Sequence, residues 1–125
     1  MSGSRTVASE ALAAVIRPLL DLIEPGERKL GGLQNALDLG REAWNLQVEH
    51  SGGDLEAALV RSSEKFAGPD VPAAEVRMVL EMLMERKRFF FPTDDRVIVD
   101  AVAVQTARGP QMKVTWARFS PRTVH

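Results

Sequence analysis

Apolar residues recur every three or four positions through the first 91 residues, a spacing that places them on one face of a helix. Glycine or proline follows each of the first three apolar segments, as is typical where helices end. The loops between the segments are short, which favours antiparallel neighbours. The predicted helices span Ser9–Glu24, Leu33–His50, Leu55–Phe66 and, from Pro72 onward, a fourth that passes through Phe89, Phe90 and Phe91.

Three residues predict local features of these helices. Pro18 lacks an N–H and its ring clashes with the preceding turn, so we expect a kink near Arg17 or two short helices end to end. Gly40 costs about 1 kcal/mol relative to alanine in mid-helix. We interpret it as a close helix crossing, with the Trp44 ring over the gap. Asp54 is a suitable N-cap for the third helix.

After Pro92 the apolar period changes from 3.6 residues to two, which indicates strands. A valine-rich segment, Arg96–Thr106, is followed by a turn at 107–110 and a second strand, Gln111–Phe119, so we predict a β-hairpin. If Thr106 pairs with Gln111, Ala101 lies opposite Trp116.

The first strand of the hairpin is apolar on both sides, whereas the second alternates apolar and polar residues. An isolated hairpin is marginal in water, so it has to pack on the helices, pair with a further strand, or do both. The two apolar rows of the first strand are Val97, Val99, Ala101 and Ala103 on one side and Ile98, Val102 and Val104 on the other.

These elements predict an α+β fold in which a four-helix N-terminal layer, kinked at Pro18, precedes a C-terminal antiparallel hairpin that extends its sheet in a dimer. The length of 125 residues is typical of a single domain. We assign residues 7–91 to the helical part and 96–119 to the hairpin, with tails at 1–6 and 120–125.

Composition narrows the functional classes. The hydrophobic fraction of 45% argues against disorder, and the absence of cysteine excludes disulfides, thiolate zinc sites and a cysteine nucleophile. No segment offers the roughly 18 uninterrupted apolar residues of a membrane helix, and the N-terminus has no signal-peptide pattern. We therefore expect a cytoplasmic protein without membrane contact.

The few candidates for catalysis or metal binding have structural explanations. His50 lies beside Glu49, but helical ligand spacing needs an acid where Gln47 stands. Turn chemistry accounts for Asp94 and Asp95. The remaining acidic positions, Asp100 and the helical pair Asp38 and Glu42, lack a partner at ligand spacing.

Known catalytic motifs are also missing. The sequence contains no nucleophile elbow, phosphate loop or zincin motif. We therefore expect no catalytic activity, metal or cofactor.

The net charge of −1 is unevenly distributed, since residues 1–85 carry a charge of −6 and residues 86–125 a charge of +5. This polarity could attract an acidic partner or bring two parts of one fold together. Helices followed by a basic hairpin resemble the architecture of winged-helix nucleic-acid binders, with the fourth helix as the reading helix. Glu81 and Glu85 on that helix would repel phosphate, so we favour a solvated basic face. The residues of this alternative are Arg86, Lys87, Arg88, Arg108, Lys113 and Arg118.

The two-sided apolar strand leads to our first functional hypothesis: a non-enzymatic interaction or regulatory protein that forms homodimers through its hairpin. A nucleic-acid-binding regulator that uses the basic hairpin is the alternative. The predicted partner-binding residues are Val97, Ile98, Val99, Val102, Val104 and Trp116.

Overall fold

A computed structural model describes residues 7–22, 30–50 and 54–118 of the chain. It confirms the predicted α+β architecture of four helices followed by a two-stranded antiparallel hairpin. The predicted tails, 1–6 and 120–125, lie outside the described residues. The elements are α1 (Ala8–Leu22), α2 (Leu30–Glu49), α3 (Leu55–Phe66), α4 (Ala73–Phe90), β1 (Arg96–Thr106) and β2 (Gly109–Arg118).

Helix α2 lies at the centre of the fold and packs against the other three helices and β1. One continuous core joins the helices to the inner face of the hairpin. Each large apolar side chain that is fully buried contributes about 1.5–3 kcal/mol to the free energy of unfolding. The largest such side chains are Leu12, Val15, Ile16, Leu37, Trp44, Leu80, Leu83 and Ile98.

Pro18 lies inside a single helix, so the prediction of two short helices is wrong. Proline cannot donate the hydrogen bond that the carbonyl of Ala14 would otherwise accept. Arg86 on α4 supplies the missing donor: its Nη2 donates to Ala14 O at 2.7 Å and its Nε donates to Val15 O at 2.9 Å. The proline in α1 thereby creates a fixed attachment point for α4.

Helix α2 begins three residues earlier than predicted, at Leu30, so the pair Gly31 and Gly32 belongs to the helix rather than to a loop. Glycine costs about 1 kcal/mol per residue in a helix. Burial of the apolar positions that follow, such as Leu37, outweighs that cost.

The hairpin turn is tighter than predicted, and the predicted register is wrong. Thr106 pairs with Gly109 across a two-residue turn, so Ala101 lies opposite Val114 rather than Trp116. Gly109 has a φ of 104°, a conformation that side-chain-bearing residues rarely adopt. This glycine allows the chain to reverse before Pro110, which lies within β2.

A β-bulge at Val99 reorients the first half of β1. Ile98 pairs with Trp116 and Asp100 pairs with Thr115, so one residue of β1 has no opposite partner. Because of this extra residue, Ile98 shares the helix-facing side of the hairpin with Ala101. Ile98 is only 1% exposed.

Helix α4 leaves part of its apolar surface exposed. The side chain of Met78 is 68% exposed and that of Phe89 is 78% exposed, whereas Lys87 is buried. The ring of Phe89 packs edge-to-face on Phe90 at a centroid distance of 5.0 Å. The apolar pattern of α4 is therefore wider than the face that the described core covers.

Gly40 allows α1 and α2 to cross closely, as predicted, but its neighbour is not Trp44. A Cβ atom at Gly40 would lie 2.2 Å from Ile16 Cγ2 and 3.1 Å from Leu12 Cδ1. Both of these side chains are fully buried. The Trp44 ring instead packs against Phe91 at a centroid distance of 5.8 Å.

We expect Gly40→Ala to lower the free energy of unfolding by about 1–2 kcal/mol, because overpacking outweighs the gain of about 1 kcal/mol in helix propensity. Gly68→Ala is the matched control, since a Cβ there meets nothing within 4 Å. Urea denaturation of both variants measures the difference. Equal stability of the two variants would contradict the close crossing.

Candidate interaction site

The histidine considered for metal binding makes a local contact instead. His50 Nδ1 lies 2.8 Å from Asp54 Oδ2, an exposed contact between residues four apart. Asp54 is the N-cap residue of α3, as predicted, but its side chain makes no capping hydrogen bond. The hydrogen bond with His50 holds the pKa of Asp54 below its ordinary value.

Three of the acidic candidates also have structural partners. Asp94 is buried and forms a bidentate ion pair with Arg96, in which Nε donates to Oδ1 at 2.9 Å. Asp38 accepts a hydrogen bond from Gln34, and Glu42 accepts one from Ser62. Within the described ranges, no three His, Cys, Asp or Glu side chains are close enough together to hold a metal ion.

Lys87 is a buried cation at the junction between α4 and β1. Its Nζ donates to Phe91 O at 3.0 Å and to Asp94 O, and it lies 5.1 Å from the centroid of the Trp44 ring. Burial lowers the pKa of Lys87. Both acceptors are backbone carbonyls of the connection, so the side chain fixes the angle at which the chain leaves α4.

The six basic residues of the nucleic-acid alternative do not form one surface. The side chains of Arg86 and Lys87 donate hydrogen bonds to backbone carbonyls inside the protein, as described above. The exposed side of α4 carries Glu81 and Glu85, which offset Arg88. The remaining three of the six, Arg108, Lys113 and Arg118, are exposed on the hairpin.

The backbone edge of β1 that faces away from β2 is occupied by side chains of α2. Asn45 forms a two-way contact with Ile98: its Nδ2 donates to Ile98 O at 2.9 Å, and its Oδ1 accepts from the Ile98 N–H at 2.8 Å. An amide side chain therefore takes the role that a residue of a third strand would have.

Gln34 repeats this arrangement further along β1. Its Nε2 donates to Ala101 O at 2.9 Å and its Oε1 accepts from the Ala103 N–H at 2.8 Å. At the other end of the edge, Trp44 Nε1 donates to Arg96 O at 2.6 Å. The edge of β1 from Arg96 to Ala103 is thus occupied and cannot pair with another strand.

These edge contacts are not among the predicted features, although the sequence carries a signal for them. Gln34, Arg41 and Asn45 are spaced by seven and four residues, so they share one face of α2. Arg41 Nε donates to Ile98 O at 3.0 Å. Polar residues at helical spacing beside the core stripe are consistent with contacts to a strand edge, but also with a solvated face.

The predicted partner-binding residues are dispersed by the fold. Ile98 was predicted to bind a partner, but its side chain lies in the core because the bulge turns it toward α2. Val99 is 49% exposed on the bulge and Trp116 is 45% exposed on β2. The remaining three, Val97, Val102 and Val104, are half-buried on the outer face of β1.

The outer edge of β2 is open. Opposite residues in an antiparallel pair either bond to each other or both point their N–H and C=O groups outward. Backbone groups of Ile98, Ala101 and Ala103 form hydrogen bonds with side chains of α2, away from β2. The N–H and C=O groups of the opposite residues on β2 therefore also point outward, away from β1. These residues are Trp116, Val114 and Met112. None of their N–H or C=O groups has a hydrogen-bond partner among the described residues.

A groove lies between α1 and the start of β2, on the helix side of the hairpin. Its volume is about 470 Å³, and its floor is apolar with Glu10 and Ser9 at the α1 side. The open strand edge and the groove share Met112. The other lining residues are Ala13, Leu20, Leu33, Pro110 and Gln111.

Comparisons with known proteins identify no relative, since no family model, curated protein or solved structure matches the chain. None of the described helices is long and apolar enough to cross a membrane.

We expect Asn45→Leu to lower the free energy of unfolding by about 1–3 kcal/mol, because the Ile98 N–H loses its acceptor beside the core. Asn35→Leu is the control: Asn35 is exposed on the same helix, and its replacement should change stability by less than about 0.5 kcal/mol. Thermal denaturation of both variants gives the comparison. A stability of Asn45→Leu equal to that of Asn35→Leu would show that the edge contact is not formed.

Proposed function

We propose that this protein is a non-enzymatic interaction protein that pairs with a second copy of itself through β2. One observation carries the proposal: β1 has its edge occupied by α2, whereas β2 leaves the outward groups of Met112, Val114 and Trp116 without partners in the described chain. Strand edges of this kind pair readily with other strands. The partner surface predicted from β1 therefore moves to β2.

One pairing register uses all of these groups. In an antiparallel pair of β2 strands centred on Val114, Met112 lies opposite Trp116 of the second copy, and Val114 lies opposite its own counterpart. This arrangement has two-fold symmetry, as most homodimers do. Its six intermolecular hydrogen bonds would convert two hairpins into one four-stranded sheet.

The side chains on β2 are compatible with this register. Lys113 on the outer face lies opposite Thr115 of the second copy, so no two like charges are directly opposed along the strand. Pro110, which has no N–H to donate, lies near the end of the paired region rather than at its centre.

Two substitutions at Thr115 test the proposal because they act oppositely on the dimer and on the hairpin. In Thr115→Glu, the new carboxylate would lie opposite Lys113 of the second copy and should lower the dissociation constant of the dimer several-fold. In Thr115→Lys, two lysines would lie opposite each other, which should raise the dissociation constant by a similar factor. Within one chain, Thr115 pairs with Asp100, so the lysine is the more favourable residue there. Sedimentation velocity over a concentration series measures both dimer constants.

A wild-type protein that stays monomeric at high micromolar concentration would overturn the proposal. So would a dimer that the lysine strengthens and the glutamate weakens, since that order would reflect stability of the hairpin alone. A gel-shift assay at low salt separates the nucleic-acid alternative, which predicts binding that Arg108→Glu with Lys113→Glu abolishes.

A further inference from the structure

We infer that the groove between α1 and β2 receives the Trp116 side chain of the second copy, so that two reciprocal tryptophan contacts lock the dimer. This inference rests on the proposed pairing of β2 strands. Any strand could form the backbone hydrogen bonds of this pairing. The tryptophan contacts would make the interface specific for a second copy of this chain.

The pairing register brings the indole to the groove. With Val114 at the centre, Trp116 of the second copy lies opposite Met112, and directly opposed residues project from the same side of a sheet. Met112 lies on the helix-facing side of the hairpin, opposite Ala103, and lines the groove. The tryptophan would therefore project toward the groove rather than toward the outer face.

The chemistry of the two surfaces matches. Trp116 is 45% exposed, an unusual state for a large aromatic residue, and one side of its ring is held by Arg96 at 5.1 Å from the ring centroid. The groove has room for an indole, with Ala13, Leu20 and Leu33 on its walls. Aromatic residues that fill apolar pockets are the usual energetic centres of protein interfaces.

The charges at the mouth of the groove also match. In the same register, Arg118 of the second copy lies opposite Pro110, which lines the groove together with Glu10 of α1. Both Glu10 and Arg118 are exposed in the single chain. The acidic N-terminal part would thereby meet the basic C-terminal part of another copy, which gives the uneven charge distribution a role.

A charge exchange tests the inference. We expect Glu10→Arg and Arg118→Glu each to raise the dissociation constant of the dimer about tenfold. The dissociation constant of the double variant should return to within about threefold of the wild-type value, because the exchange restores both opposite-charge contacts. Glu64→Arg, an exposed position on α3, carries the same charge change as Glu10→Arg and should leave the dimer constant unchanged. Sedimentation velocity measures all four variants.

Tryptophan fluorescence provides a second readout for the same proteins. On dilution, the emission of Trp116 should shift to longer wavelength, and its indole ring should become accessible to quenching by iodide. Trp44 is 1% exposed and contributes a constant background. Trp116→Phe should remove this concentration dependence.

The two proposals fail in distinguishable ways. A dimer without rescue in the double variant, or with Trp116 equally quenched at all concentrations, would overturn the inference and leave the pairing of β2 intact. A protein that is monomeric throughout the concentration series would overturn both.

Discussion

The structure depends on one interaction, in which α2 satisfies the backbone of β1. A two-stranded sheet has too few neighbours to be stable alone, and each of its strands has an unpaired edge. Asn45 and Gln34 each supply one donor and one acceptor to β1, in the pattern that a third strand would offer. The helix therefore acts both as the apolar cover of the hairpin and as its missing strand.

This arrangement gives the buried polar groups around the hairpin structural roles. Lys87 binds the carbonyls of the connection between α4 and β1, and the ion pair of Asp94 with Arg96 holds the start of the strand against Trp44. A buried lysine whose pKa is lowered is often a catalytic group. Here its hydrogen-bond acceptors are backbone carbonyls, which indicates a structural role.

The two edges of the hairpin consequently differ. β1 is closed by α2, whereas β2 offers three outward N–H and C=O pairs beside an apolar groove. The chain also shows exposed Phe89 at the end of α4 and exposed Val99 at the bulge, but neither lines the groove between α1 and β2. The open edge is thus the surface on which geometry and chemistry agree.

The sequence predicted those features that local patterns determine. The bounds of α3 and β1 are as predicted, because an apolar period and flanking glycines or prolines mark them. The hairpin register was wrong because a two-residue turn and a bulge each shift the pairing by amounts that apolar alternation does not record. The contact of Asn45 with Ile98 joins residues 53 apart, and the helical spacing of Asn45 with other polar residues of α2 fits a solvated face equally well.

The same distinction applies to the candidate site. The alternation of β2 placed Trp116 on its apolar face, and in the structure this side chain is 45% exposed. Ile98 was named because β1 is apolar on both sides, but the bulge at Val99 turns it toward α2. The difference between the edges of β1 and β2 arises from the contacts of α2 with β1. These contacts are a property of the packed molecule and not of either strand.

Residue-resolved amide hydrogen exchange tests the central claim most directly, since it reports the two strand edges separately. The amides of Ile98 and Ala103 should be protected at every protein concentration, because they donate to α2. Those of Met112, Val114 and Trp116 should exchange rapidly in dilute solution and become protected as the concentration rises. Rapid exchange of Ile98 and Ala103 at all concentrations, or protection of the β2 amides that does not depend on concentration, would contradict the account.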